Sequence, residues 1–219
     1  MGFDLFNVLQ GILIGAPPVL FAITLHEVAH GWAARHYGDR TAEMMGRLSL
    51  NPIKHIDPMG TIIVPAVMYM LGGFMFGWAK PVPVAFGRLN NPKRDMIMVA
   101  LAGPAANIAM GIGWAVVLKT LLVTGVGAAG VGALLFSMCE IGIIINALLA
   151  AFNIIPIPPL DGGRVLRGLV SESVGQYLDR MEPFGLIIIV VLLASGLLWT
   201  VVGPLLNLVQ RLIVFVVGL

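Results

Sequence analysis

The stretch Val19-Leu20-Phe21-Ala22-Ile23-Thr24-Leu25-His26-Glu27-Val28-Ala29-His30-Gly31-Trp32 decides how the rest of the chain is read. Three ionisable side chains, His26, Glu27 and His30, sit inside an apolar run that extends from about Phe6 to Ala34. Ionisable groups are costly in such surroundings, and where they persist they mark a functional site. On a helix, positions i and i+4 lie about 40° apart on one face, so both imidazoles can reach one metal ion. Position i+1 lies about 100° round, close enough for Glu27 to reach a water on that metal. Neutral imidazole suits zinc, and a catalytic zinc takes three protein ligands plus water. Glu27 would then be the general base toward that water. The plainer alternative is three incidental polar residues near a helix end, which the apolar setting disfavours.

The composition sets the surroundings of this motif. Of 219 residues, 58% are apolar and only 11% are charged, and mean hydropathy is +0.96. A soluble domain carries roughly a quarter of its residues as charges. Most of this surface must therefore face something other than water, and the lipid bilayer is the expected partner. The apolar stretches are continuous runs rather than short alternations, so helices and not a barrel are expected. The fold class expected is an all-α membrane protein, a polytopic helical bundle of about five to six hydrophobic segments. The net charge of +2 is too small to suggest nucleic-acid binding. Cys139, the single cysteine, excludes an intrachain disulfide. The first residues have no basic stretch and no small-residue cleavage site, so they read as the start of a retained span.

After the first segment come Met59 to Trp78, Met96 to Val123, about Val131 to Ile155, Phe184 to Val202 and Pro204 to Val217. The last two read as one helix broken near Gly203-Pro204, where proline removes a backbone donor. No polar stretch has room for a separate soluble domain. The chain is expected to be a single membrane-embedded domain over 1–219, with a core of about 6–170 and accessory helices at about 184–218.

Charge fixes an expected topology. Arg35, Arg40, Arg47 and Lys54 precede the second segment; Lys80, Arg88, Lys93 and Arg94 follow it; Arg164, Arg167 and Arg180 follow the fourth. The positive-inside rule would put all three connections in the cytoplasm. The flanks of one full crossing lie on opposite sides, so segment 59–78 is expected to be re-entrant or a short hairpin. Pro65 and Gly72-Gly73 weaken a straight helix there.

Two histidines leave a metal one ligand short. His36 and His55 read as surface histidines. Asp161 is the better candidate, in Asn153-Ile154-Ile155-Pro156-Ile157-Pro158-Pro159-Leu160-Asp161-Gly162-Gly163. Pro156 should end the fourth segment, and the prolines after it should hold a stiff, extended approach to one carboxylate. The glycines would let the backbone pass close to a neighbour. The alternative is a turn with Asp161 as N-cap of the next helix. If His30 and Asp161 meet one ion, the ends of the first and fourth segments share a side of the membrane. Three full crossings between them would separate those ends.

The pair of motifs resembles the site-2 protease family of intramembrane zinc metalloproteases. It carries H-E-x-x-H as His26 to His30, and N-x-x-P-x-P-x-x-D-G as Asn153, Pro156, Pro158, Asp161 and Gly162. Gly103-Pro104-Ala105-Ala106-Asn107 resembles the G-P-x-x-N of the family's middle core helix. The likeness covers about Leu20 to Gly168, and the chain lacks room for the PDZ or CBS domain of larger members. The resemblance implies one zinc ion held by His26, His30 and Asp161, with Glu27 as catalytic base. It also implies Asn153 near the substrate carbonyl as an oxyanion donor. The implied activity is an endopeptidase acting in or next to transmembrane segments of membrane-protein substrates. The plasma membrane is the expected setting, and the charge pattern and the meeting of His30 with Asp161 agree on a site toward its cytoplasmic side. Gly77 to Val84 reads as extended, and a comparable strand in the family is thought to pair with unwound substrate. An interfacial loop anchored by Trp78 and Lys80 is the alternative. A catalytically silent zinc protein and a transporter are the rival functions; the intact Glu27 opposes the first, the lack of an internal repeat the second.

Overall fold

The computed structural model describes residues 5–70, 77–126 and 129–219. Helix α1 (Leu5–His36) continues unbroken past Pro17 and Pro18 and is followed by the single turn α2 (Thr41–Met44). A 3-10 turn at Pro52–His55 and a π-helical turn at Pro58–Ile63 lead into α3 (Val64–Met70). The long helices α4 (Pro92–Thr124) and α5 (Val131–Asn153) form the centre. The short helices α6 (Asp161–Leu169), α7 (Glu172–Met181) and α8 (Gly185–Ala194) then lead to α9 (Leu197–Val217). Among the described residues there is no β-strand, so the short β element considered for the region near the site is not seen there.

Four helices, α1, α4, α5 and α9, are long and apolar enough to cross a membrane. This is an all-α membrane protein. Side chains such as Leu13, Val123 and Phe215 lie exposed on these helices; an apolar solvent leaves them no reason to pack inward. Helix α8 has ten residues, about 15 Å of rise, half of a hydrocarbon core. It cannot cross.

This corrects the reading of the last two apolar segments. Helix α9 continues through Gly203-Pro204, and the chain breaks instead at Gly196, whose φ of +76° is left-handed. Glycine takes that conformation without the steric penalty other residues meet. Two buried clusters hold the region together. Ile155, Leu160, Ile189, Leu198 and Val202 pack at one end of α9. Ala115, Ile143, Ala147 and Ile213 pack α4, α5 and α9 farther along.

Helix directions follow from the residue pairs. His26 meets Asn107 and His30 meets Val99, so α1 and α4 are antiparallel. Asn107 meets Asn146, and Gly142 lies against Trp114, so α4 and α5 are antiparallel as well. Gly111 faces Ile213 and Lys119 Nζ donates to Val217 O at 2.6 Å, so α9 runs with α4. The C-terminal ends of α1 and α5 therefore share one end of the bundle.

Segment 59–78 returns to where it starts. Trp78 N donates to Gly60 O at 3.0 Å, and Thr61 Oγ1 donates to Trp78 O at 2.9 Å. Outside them, Lys80 N donates to His55 O at 2.9 Å. Arg47 donates to Lys54 O and Lys80 O at 2.7 and 2.9 Å, binding both flanks together. Its two ends meet, so it does not carry the chain across. Gly72 and Gly73, which the sequence reading held to weaken it, lie outside the described residues.

Candidate active site

His26 and His30 occupy adjacent turns of α1, and Asp161 is the first residue of α6. His26 Nε2 lies 3.0 Å from His30 Nε2. His26 Nε2 stands 3.3 Å from Asp161 Oδ2, and His30 Nε2 stands 3.2 Å from Asp161 Oδ1. Among the described residues these three form the group able to hold a metal ion. Ligand bonds of about 2.0–2.1 Å at tetrahedral angles put ligand atoms about 3.3–3.4 Å apart. The observed spacings fit a zinc-sized ion to within a few tenths of an ångström.

The ring protons make the fit chemical as well as geometric. His30 Nδ1 lies 2.8 Å from Val99 O, and a carbonyl only accepts, so Nδ1 carries the proton. His26 Nδ1 lies 2.6 Å from Asn107 Oδ1 and donates to it. In the neutral rings both Nε2 atoms then present lone pairs, toward each other and toward a carboxylate. Asp161 Oδ2 is buried with no hydrogen-bond donor among the described residues. Three electron-rich groups converging in a largely enclosed place repel one another unless a cation sits between them.

Helix α4 is built to receive both imidazoles. Val99, Gly103 and Asn107 are spaced four apart and form one stripe facing His30 and His26. A Cβ on Gly103 would lie 2.4 Å from His30 Nε2 and 2.6 Å from His26 Cε1, closer than atoms pack. Pro104 adds a second feature, leaving Ala100 O without its usual helical donor.

Asp161 arrives by a tighter route than the sequence suggests. Residues 154–160 are a chain of turns, with Ile157 N donating to Ile155 O and Leu160 N to Ile157 O, not an extended linker. Leu160, not Asp161, occupies the N-cap of α6. A Cβ on Gly162 would lie 2.2 Å from Ile154 O, so the glycine lets α6 start against the end of α5. Arg164, one turn further, pairs with Glu182 and lies 4.9 Å from the Phe86 ring centroid.

Glu27 faces the segment before α4. Its Oε2 accepts from Val82 N at 2.7 Å. That segment is held from both ends. Ala85 N donates to Asp39 Oδ2 at 2.7 Å, and Arg47 Nη2 lies 3.3 Å from Pro81 O. Asp39 is fully buried and also accepts from the amide and hydroxyl of Thr41. Burial pushes its carboxyl up, but the Thr41 hydroxyl and the Ala85 and Thr41 amides together hold it below the ordinary 3.8.

The family model described as "Peptidase family M50" matches residues 127–197. A relative from Bacillus subtilis (strain 168), carried under the name "Putative zinc metalloprotease YwhC", is 36% identical over 192 residues, covering 86% of this chain and 84% of its own. The chain belongs to peptidase family M50. This is the site-2 protease family whose motifs the sequence carries. The M50 chain is also similar to Rip2 of Mycolicibacterium smegmatis, of the same description, at 29% over 180 residues, which is 80% of this chain and 64% of the relative. "Zinc metalloprotease MJ0392" of Methanocaldococcus jannaschii is 25% identical over 154 residues, 70% of this chain and 33% of that one. No solved structure matches.

Within this M50 chain the candidate residues fall into two groups. His26, His30 and Asp161 are brought together, and Glu27 lies beside His26 in sequence with its carboxylate on Val82. Asn153, the last residue of α5, donates from Nδ2 to Leu149 O of its own helix at 3.0 Å. His36 is exposed at the end of α1. His55, expected at the surface, is instead buried, with Nε2 donating to Ser49 O at 2.8 Å. Sequence reasoning missed Val99 O, Val82 N and Asp39. The stripe Val99, Gly103, Asn107 is visible as a spacing of four; a backbone amide reached across 55 residues carries no side-chain signal.

Proposed function

We propose that this M50 protein, a zinc metalloprotease, hydrolyses peptide bonds in or next to transmembrane segments of membrane-protein substrates. In this reading His26, His30 and Asp161 hold one zinc ion and Glu27 is the general base. The observation that carries it is the convergence of two imidazole lone pairs and a half-buried carboxylate at 3.0–3.3 Å, with both Nδ1 protons already committed. Zinc, when bound there, supplies a Lewis acid that makes water nucleophilic at neutral pH.

The chain's own residues would do the rest. Glu27 keeps one carboxylate oxygen on Val82 N, which orients it. The other oxygen takes the proton from the attacking water and later passes it to the leaving amine. Asn153 is proposed as an amide donor to the scissile carbonyl; its Nδ2 must then turn away from Leu149 O. A helical substrate hides its carbonyls in its own hydrogen bonds, so it must unwind before attack. Residues 77–85 form no helix before the 3-10 turn begins and lie against Glu27, which supports them as the edge that holds an unwound segment. The whole chain is taken to act as one membrane-embedded domain. The clustered basic connections support a site toward the cytoplasmic side of the plasma membrane.

The test is reconstitution with a substrate that has one transmembrane segment. Glu27→Gln is expected to keep zinc at full occupancy and lose cleavage. Asp161→Asn is expected to lose both. Wild-type cleavage by Glu27→Gln would overturn the assignment.

A further inference from the structure

We propose that Asn107, locked in place by Asn146, is a positioning residue that selects the proton-bearing nitrogen of His26 and so aims its Nε2 at the metal. The inference rests on His26 being a metal ligand and extends that reading to the residue behind it.

The argument runs along one buried chain of hydrogen bonds, each with a single allowed direction. Asn146 Nδ2 donates to Gly142 O at 2.8 Å; the carbonyl only accepts, so the amide of Asn146 cannot be reversed. Its Oδ1 therefore faces Asn107 and accepts from Asn107 Nδ2 at 2.9 Å. Asn107 Nδ2 also lies 3.2 Å from Ala22 O, a second acceptor. Both contacts demand N–H from that side of the Asn107 amide. Its oxygen is thereby left pointing at His26 Nδ1, 2.6 Å away. An oxygen there requires Nδ1–H, which frees Nε2 as the lone pair. Both asparagines are fully buried, so water does not compete for these bonds.

Geometry adds a second constraint. Ala22 lies one turn before His26 on α1, so Asn107 grips the helix backbone and the ring at once. Rotation of the imidazole relative to its own helix would break one of the two bonds. His30 differs: its Nδ1 partner is a backbone carbonyl, Val99 O, which no side-chain substitution removes. Of the two imidazoles, His26 is thus the one whose orientation a side-chain amide decides. Partners that orient metal-binding histidines typically contribute about 10- to 100-fold in metal affinity.

The experiment uses the full chain in detergent, with zinc affinity read by competition against a chromophoric chelator. The tautomer is read by nitrogen NMR of histidine-labelled, zinc-free protein at a pH where imidazoles are neutral. Asn107→Leu, similar in size but without an acceptor, is expected to weaken zinc binding about 10- to 100-fold and to lose the Nδ1–H signal of His26. Asn107→Asp keeps an oxygen facing His26 Nδ1 but gives up the N–H toward Asn146 and Ala22, so it is expected to recover part of the affinity and the Nδ1–H signal. A folded Asn107→Leu with wild-type affinity, or a folded Asn107→Asp that lacks the Nδ1–H signal of His26, overturns the proposal. If Asn107→Leu does not fold, Asn146→Leu tests the same chain from behind. It leaves Asn107 in place but held on that side only by the longer 3.2 Å contact to Ala22 O, so a smaller loss and a partly mixed tautomer are expected. Unchanged affinity and tautomer there overturn the proposal too. His26→Ala separates the two readings: if it loses zinc while Asn107→Leu does not, only the positioning role fails. Retained zinc in His26→Ala would overturn the metal assignment, and the positioning role with it.

Discussion

Gly103 leaves no room for a side chain against the two imidazoles. With 2.4 Å between a notional Cβ and His30 Nε2, Gly103→Ala must push α4 from α1 or turn the ring off the metal. The expected result is a folded protein with zinc content reduced at least tenfold, measured by elemental analysis of the purified variant. Metal removal acts in the same place. Chelation exposes the facing lone pairs of His26 and His30 and the Asp161 carboxylate to one another. A ligand that binds only the folded state stabilises it by mass action. The melting temperature should therefore fall on chelation and recover with added zinc, and Asp161→Ala should show no such response. The residues that converge at this scale were legible in the sequence, since His26, His30 and Asp161 stand out by type and setting. The partners were not. A backbone carbonyl such as Val99 O or an amide such as Val82 N looks the same in every residue, and only folding selects it.

At the scale of elements, the irregular segment before α4 depends on Asp39. Its carboxylate is buried and accepts from Ala85 N, Thr41 N and the Thr41 hydroxyl. Asp39→Ala leaves buried donors unmet and should cost about 1–3 kcal/mol of stability. It should also loosen Val82 from Glu27, so cleavage should fall while zinc content holds. The pH dependence has a definite sign. The folded carboxyl sits below the ordinary 3.8, so its contribution is present above that value and is lost as pH falls through it toward the lower folded pKa. Thermal unfolding from pH 6 downward should show wild type losing its advantage over Asp39→Asn in that window. An unchanged difference would refute the role. The same scale holds the two clearest departures from the sequence reading. Proline inside an apolar run predicts a break in the last helix, yet Pro204 lies within a continuous α9, and the break falls at Gly196. The Pro156 to Pro159 run predicts an extended linker, yet it turns. In both cases local propensity was overridden by packing: Leu198 and Val202 of α9 are buried against Ile155 and Leu160 of the turn itself.

For the whole molecule, the decisive property is that α1 and α5 point the same way, with a single crossing by α4 between them. In a Cys139→Ala background, cysteines at Arg47 and Arg88 should label from one side of the membrane, and a cysteine at the exposed Val131 from the other. Labelling of Arg47 and Arg88 from opposite sides would contradict the meeting of Gly60 with Trp78. By itself the sequence determined the solvent and the helical class, because each depends on composition and on one-dimensional spacing, and it singled out His26, His30 and Asp161 as residues that could meet. Tertiary structure alone decided which backbone groups orient the imidazoles, how Asp161 reaches them and what holds Glu27. Those depend on contacts between residues 46 to 135 positions apart, and nothing in the spacing of a chain records which distant atoms will face each other once helices pack.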